Sequence, residues 1–267
     1  MSTREFQKNA IESAQLRRHF FTFSLYGGKL QLHSKLADSI QPLFGDNVSD
    51  DFQQIPLLVE FYEQYLVDHD IAAFLRLTAH HYMIGTLERL AEQGDRGARR
   101  GAILALGRLA DYRSNAVLGK ALIDLDRGVR TLAESAILRV WRRIGAPDHE
   151  RRLAAVDEQI DDGDFDRASR LAGKLIQEAP WIAHSWYQRG KAFFHLAQYE
   201  AAVRDCHQAL EINAYHFQSA AVMGQAYEQQ QNLVAALECY RRALRLNPNM
   251  EEIRTRVIQL QRTIKDQ

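Results

Sequence analysis

Residues 183–216 read AHSWYQRGKAFFHLAQYEAAVRDCHQALEINAYH, and residues 217–250 read FQSAAVMGQAYEQQQNLVAALECYRRALRLNPNM. Superposed at an offset of 34, they bring Gly190 onto Gly224, Ala192 onto Ala226, Ala201 and Ala202 onto Ala235 and Ala236, Ala209 and Leu210 onto Ala243 and Leu244, and Asn213 onto Asn247. Conservative pairs fill the spaces: Phe193 with Tyr227, Val203 with Leu237, Ile212 with Leu246. One step back, 149–182 is a weaker copy, in which Phe165 meets Tyr199, Ala168 meets Ala202, and Pro180 falls in register with Ala214 and Pro248. Within the middle copy, Ser185–Leu196 and Tyr199–Ile212 read as two helices around a polar break at Ala197-Gln198, because Ala202, Val203, Cys206, Ala209 and Leu210 recur at helical spacing. Glycine at 190 and 224 and alanine at 202 and 236 let paired helices approach, while Tyr187, Phe193 and Tyr199 fill the gaps between them.

A repeated helix pair with Trp186, Gly190, Phe193, Ala202, Ala209 and Ala214 at its fourth, eighth, eleventh, twentieth, twenty-seventh and thirty-second places resembles the tetratricopeptide repeat; the last copy places Ala220, Gly224, Tyr227, Ala236, Ala243 and Pro248 there. The first copy departs, with Arg152, Val156 and Gln159 where Trp, Gly and an aromatic are expected, so its inner helix is expected to pack irregularly. Glu251–Lys265 carries Ile253, Val257, Leu260 and Ile264 on one face and reads as the solvating helix that closes the stack. The resemblance implies that the first helix of each pair lines a concave groove. That places His184, Tyr187, Gln188, Lys191, Phe194 and His195 from one unit, and Gln218, Ala221, Val222, Gln225, Glu228 and Gln229 from the next, against a peptide or protein partner. Some members of the family grip a terminal carboxylate of chaperones with paired cations. Here the equivalent places hold Leu153, Asp157, Tyr187, Lys191, Gln218 and Val222, and a single Lys191 predicts no such clamp.

A second period precedes the first. Asp95-Arg96-Gly97-Ala98-Arg99 recurs as Asp126-Arg127-Gly128-Val129-Arg130, an offset of 31, and each aspartate is placed to cap a helix whose apolar stripe is Ala102, Leu106, Leu109 in one copy and Ala133, Ile137, Val140 in the other. Shorter helices over Met83–Glu92 and Ala116–Leu125 are expected before them. Helix, D-x-x-V-R, helix resembles a HEAT repeat, and two such units cover about 82–146, with Gly145-Ala146-Pro147 marking the change of period. Ile55–Val67 and Ile71–Ala79 read as helices; His19–His33 suits a hairpin or, preferably, a helix ending at Gly27-Gly28. The expected architecture is therefore all-α, a right-handed α-solenoid of helical hairpins: an N-terminal helical region (1–81), two HEAT-like units (82–146), three tetratricopeptide units (147–250) and a capping helix (251–267). The combination resembles that of bacterial scaffold proteins.

Composition narrows the function. Of 267 residues, 34 are basic and 34 acidic, so whole-chain charge draws the protein to neither nucleic acid nor an anionic membrane. No apolar run is long enough to span a bilayer, and MSTREFQKNAIESAQ lacks the apolar stretch of a secretory signal, so a cytoplasmic protein is expected. Net neutrality conceals segregation: 36–75 holds eight acids and no lysine or arginine, whereas 96–143 holds eleven basic residues against four acidic. Arg96, Arg99, Arg100, Arg127 and Arg130 could bind an anion or nucleic acid from one face; the plainer reading pairs the arginine after the turn with an aspartate of a neighbouring turn and has the acidic 36–75 segment neutralise the rest. No cofactor, metal site or catalytic group is expected. His80 and His81 diverge by about 100 degrees on a helix, Asp161, Asp162, Asp164 and Asp166 lack the rest of a calcium loop, and Cys206 reads as packed core. The expectation is a non-catalytic scaffold; the competing ones are nucleic-acid binding through 96–143 and a catalytic site within 1–81.

Overall fold

The structure, a computed structural model, describes residues 56–266; the segment His19–His33 and half of the acidic block lie outside them. The described residues form thirteen α-helices and no strand. In order these are α1 (Leu57–Asp68), α2 (Ile71–His81), α3 (Ile84–Gln93), α4 (Arg96–Leu109), α5 (Asn115–Ala121), preceded by a 3-10 turn at Tyr112–Ser114, α6 (Arg127–Arg142), α7 (Pro147–Asp161), α8 (Phe165–Glu178), α9 (Ala183–His195), α10 (Tyr199–Ile212), α11 (Phe217–Gln229), α12 (Leu233–Leu246) and α13 (Glu251–Lys265). Each of α7 to α13 packs on its chain neighbours, a solenoid of stacked hairpins.

Short polar side chains start the helices where spacing predicts. Asp70, Asp95, Asp126, Asp164 and Asn232 each accept a hydrogen bond from the backbone N–H three residues on, satisfying one of the free amides of the first turn. Such a cap is worth about 1 kcal/mol. Of the stripes expected on α4 and α6, Ala102, Leu106, Ala133, Ile137 and Val140 are fully enclosed and Leu109 is half-buried. Most boundaries fall within two residues of expectation, and the largest difference is that α5 ends at Ala121 rather than Leu125, because the Asp124 carboxylate accepts from the Asp126 N–H and from Arg99, which turns the chain four residues early.

The 34-residue period is visible in the backbone itself. Gly163 (φ +79°), Ala197 (57°) and Gln231 (61°) are left-handed, one at the bend of each successive helix pair α7–α8, α9–α10 and α11–α12. Helix contact within the pairs obeys a size rule. A Cβ on Gly190 would lie 2.7 Å from the Cys206 sulfur, and one on Gly224 would lie 2.5 Å from the Tyr240 ring. In the first pair the same two places hold Val156 and Ala172, so the bulk has changed sides. Val156 is fully buried against α8 in a core with Ala168, Ala172 and Ala192. α7 and α8 approach each other in fewer places than the helices of the two later pairs, while a small partner at 172 makes room for Val156.

The expected succession of side-by-side hairpins holds among the described residues, but it omits a second set of contacts in which α5 and α6 touch the loops that follow α10 and α12. Trp141 of α6 is buried and stacks on His216 at 4.2 Å, and its Nε1 donates to Asn115 Oδ1 at 2.7 Å. Asn115 Nδ2 donates in turn to Asn213 Oδ1 (3.0 Å), Arg130 Nε donates to Asn249 Oδ1 (3.2 Å), and Gly119 lies so close to the Tyr215 ring that a Cβ would sit 2.2 Å from it. Phe217, at the start of α11, is thereby part of the hydrophobic core of α1–α6. These contacts set α6 beside the concave face of α9 and α11.

Candidate functional site

The concave faces of α9 and α11, the loop before α13 and the first turn of α13 enclose a groove of about 580 Å³, and α6 contributes Glu134 to its wall. From α9 come Tyr187, Lys191, Phe194 and His195; from α11, Gln218, Ala221, Val222 and Gln225; from the far side, Asn249 to Ile253. The spacing of 187, 191 and 194, and of 218, 221, 222 and 225, is that of one helical face, which is why a single wall of each helix points inward. A second recess of about 280 Å³ shares Phe194, Gln225, Glu252 and Ile253 and adds Glu228, Tyr240 and Arg256.

Ten of the twelve groove residues named from the sequence line one of these two recesses; His184 and Gln188 do not. They are 4% and 0% exposed: His184, at the start of α9, is covered by His216, and Gln188 lies about 100° round the helix from Tyr187, toward α7. Gln188 Nε2 donates to Leu153 O (3.0 Å) and Asp157 Oδ1 (2.8 Å), tying α9 to α7. His184 Nδ1 faces His216 Nε2 at 3.3 Å, while His216 Nδ1 lies 2.9 Å from Ser219 Oγ. Burial holds the His184 imidazole down to about 4 and His216 well below its ordinary value, so both stay neutral in the fold. Glu228 is bound by the Tyr240 hydroxyl (2.9 Å) and the Arg256 guanidinium. Glu134, Asn249 and the start of α13 escaped the sequence reading. Glu134 reaches the groove only because α6 sits beside it, and no period reports that.

The arginine block has a different fate. Arg99 binds the Asp124 carboxylate through Nε (2.9 Å) and Nη2 (3.0 Å), and Arg100 binds Asp126 at 2.7 and 2.9 Å. The Arg100 guanidinium is the main reason the Asp126 carboxyl is lowered to about 2. Arg130 donates to the Asp124 carbonyl and to Asn249, and Arg143 to the carbonyls of Gly107, Arg108 and Ala110. Arg99, Arg100 and Arg130 are therefore not open anion ligands: neighbouring acceptors already occupy their donors. Arg96 and Arg127 are exposed and make no ion pair among the described residues. Cys206 is enclosed, and burial pushes its thiol up. Asp164 serves as the α8 cap, and no cluster of three metal-ligating side chains occurs among the described residues. No helix among them is long and apolar enough to cross a membrane.

Two stretches of the chain match a family model. Residues 183–216 and 221–250 each match the tetratricopeptide repeat. The register of the first is the one the offset of 34 gives, with its start at Ala183. No curated protein matches the chain. Among solved structures, the first tetratricopeptide domain of Spaghetti (RPAP3), bound to the HSP90 peptide SRMEEVD, is 23% identical at a TM-score of 0.41, covering 43% of this chain and 90% of that one. The TPR2AB domain of yeast Sti1, in complex with pHSP90, is 16% identical at 0.40, covering 76% and 95%. A thermophilic tetratricopeptide protein of Thermus thermophilus, TTC0263, is 18% identical at 0.34, covering 76% and 97%.

Proposed function

We propose that this chain is a non-catalytic interaction scaffold that holds a peptide segment of a protein partner between α9, α11 and α13. The observation that carries the reading is the groove of about 580 Å³, floored by Phe194, Ala221 and Val222 and edged by amides and charges. A concave, mostly pre-formed site with an apolar floor and a few polar groups on rigid helices is what a peptide side chain needs for anchoring and orientation. The raised Cys206 thiol supports the non-catalytic part, since a protonated buried thiol is a poor nucleophile. We further infer that α3–α6 are two HEAT-like pairs and α7–α8 a degenerate tetratricopeptide unit; Gly163 and the Asp164 cap, each 34 residues before their counterparts at 197 and 198, support the latter.

Selection of a peptide from a random phage-displayed library on the full chain tests the reading. The selected peptide is expected to lose about tenfold or more in affinity when Lys191→Ala and Phe194→Ala are combined, with the fold intact by circular dichroism. Equal binding to wild type and double variant contradicts it. Binding of non-specific duplex DNA at low salt is expected to be absent, because Arg99 and Arg100 would have to abandon bidentate carboxylates to contact phosphate.

A further inference from the structure

The groove walls are richer in acceptors than in donors. Three carboxylates line them, Glu134 from α6 and Glu251 and Glu252 from α13, against one ammonium, Lys191. Glu251 is engaged by Arg254, whereas Glu134 and Glu252 have no ion-pair or hydrogen-bond partner among the described residues. Gln218 adds a further acceptor: its Oε1 is buried and lacks a donor among the described residues, although the side chain lines the groove. Buried acceptors of this kind are costly unless something donates to them.

We propose, resting on the reading of the groove as a peptide site, that its occupant is a segment carrying an arginine next to a bulky apolar residue. A guanidinium brings five N–H donors in a planar fork, keeps its charge at all relevant pH, and can lie against the Phe194 ring while donating to Glu134, Glu252 and Gln218. The neighbouring apolar side chain takes the surface made by Val222, Met250 and Ile253. An acidic peptide meets the reverse situation, since its carboxylates would face Glu134 and Glu252 with Lys191 alone to offset them, and like charges brought together across a desolvated interface select against a partner. Glu134 is the deciding wall residue, because it comes from outside the repeat and is supplied only by the contact of α6 with the loops after α10 and α12.

The test uses the full chain and three terminally blocked, fluorescein-labelled dodecapeptides in a Gly/Ser background, with Leu-Arg, Leu-Gln or Leu-Glu at the centre. Fluorescence anisotropy is expected to show the arginine peptide binding about tenfold or more tightly than the glutamine one, and the glutamate peptide weakest. Glu134→Gln with Glu252→Gln should erase most of that preference, and Glu134→Arg with Glu252→Arg should invert it in favour of the glutamate peptide. Gln225→Trp, which fills the groove, should abolish binding of all three. A glutamate peptide that binds as well as the arginine one, or a preference that survives Glu134→Gln/Glu252→Gln, overturns the arginine inference; if Gln225→Trp still abolishes that binding, peptide recognition by the groove stands. Failure of every peptide to bind overturns both. Self-association in sedimentation velocity that Gln225→Trp abolishes and the arginine peptide cannot displace would assign the groove to a second copy of the chain and overturn the proposal as well.

Discussion

At His184 and His216 two imidazoles are kept neutral in the fold, whereas in the unfolded chain each titrates near its ordinary value of about 6.5. Below that value the unfolded state binds more protons than the folded one, so their contribution to stability is complete above about pH 6.5 and is lost as pH falls toward the His184 value of about 4. The groups facing them, Asp157 and Gln188 from α7–α9, Arg142 and Trp141 from α6, Lys191 and Tyr187 from α9 and Ser219 from α11, supply one carboxylate against two cations, which does not compensate a new imidazolium. Urea midpoints are therefore expected to fall between pH 7.5 and pH 5, and to fall less in His184→Gln/His216→Gln; an equal fall in the variant contradicts this. Asp126 acts in a separate window, lost only as pH drops from 3.8 toward 2. Ala197 and Gln231 hold left-handed φ without being glycine, a conformation costing roughly 1–2 kcal/mol in a residue with a Cβ. Ala197→Gly should thus raise stability by about 0.5 kcal/mol after the entropy of glycine is counted, and Gly163→Ala should lower it by about 1 kcal/mol. At this scale the sequence spoke only where side chains recur: Tyr187 and Lys191 were placed by the repeat, but the contacts that bury His184 under His216 and Gln188 against α7 have no signature in composition or spacing.

Helix pairs follow from the rule that bulk on one helix needs room on the other. Gly190 faces Cys206, Gly224 faces Tyr240, and Val156 faces Ala172. Gly190→Val alone should cost about 1–3 kcal/mol by overpacking against the Cys206 sulfur, and adding Cys206→Ala should recover part of that cost, since the double variant copies the Val156/Ala172 solution. A double-mutant cycle by chemical denaturation measures the coupling; additive costs would say that the two helices do not meet at these residues. Element existence was highly legible, because the apolar period and the Asp95 and Asp126 caps agree. The compensation at Val156 was not, since reading one place at a time shows a lost glycine and hides its partner sixteen residues on. Likewise α5 stops early because Asp124 is claimed by Arg99, a contact between turns 25 residues apart.

For residues 56–266 together, the repeats establish which helices stack, and the joint of Trp141, Asn115 and Gly119 against Asn213, Tyr215 and His216 establishes what lies beside the groove. That joint was illegible in the sequence. It links residues about 75 to 100 apart through single aromatic and amide contacts that follow neither the 31- nor the 34-residue period. The same joint makes α6 part of the binding wall, so an account built from the repeats alone names Tyr187, Lys191 and Phe194 and omits Glu134. The charge block was legible only in kind: an aspartate of a neighbouring turn was expected as partner, and the structure supplies Asp124 for Arg99 and Asp126 for Arg100 as bidentate pairs. The claim on which the functional account turns is that a partner segment lies along α9 and α11 under α6. Hydrogen–deuterium exchange of the full chain with and without a selected peptide measures this directly. The account predicts added protection in α9, α11, the first turn of α13 and α6 around Glu134; protection confined to α8, α10 and α12, with α9 and α11 unchanged, would contradict it.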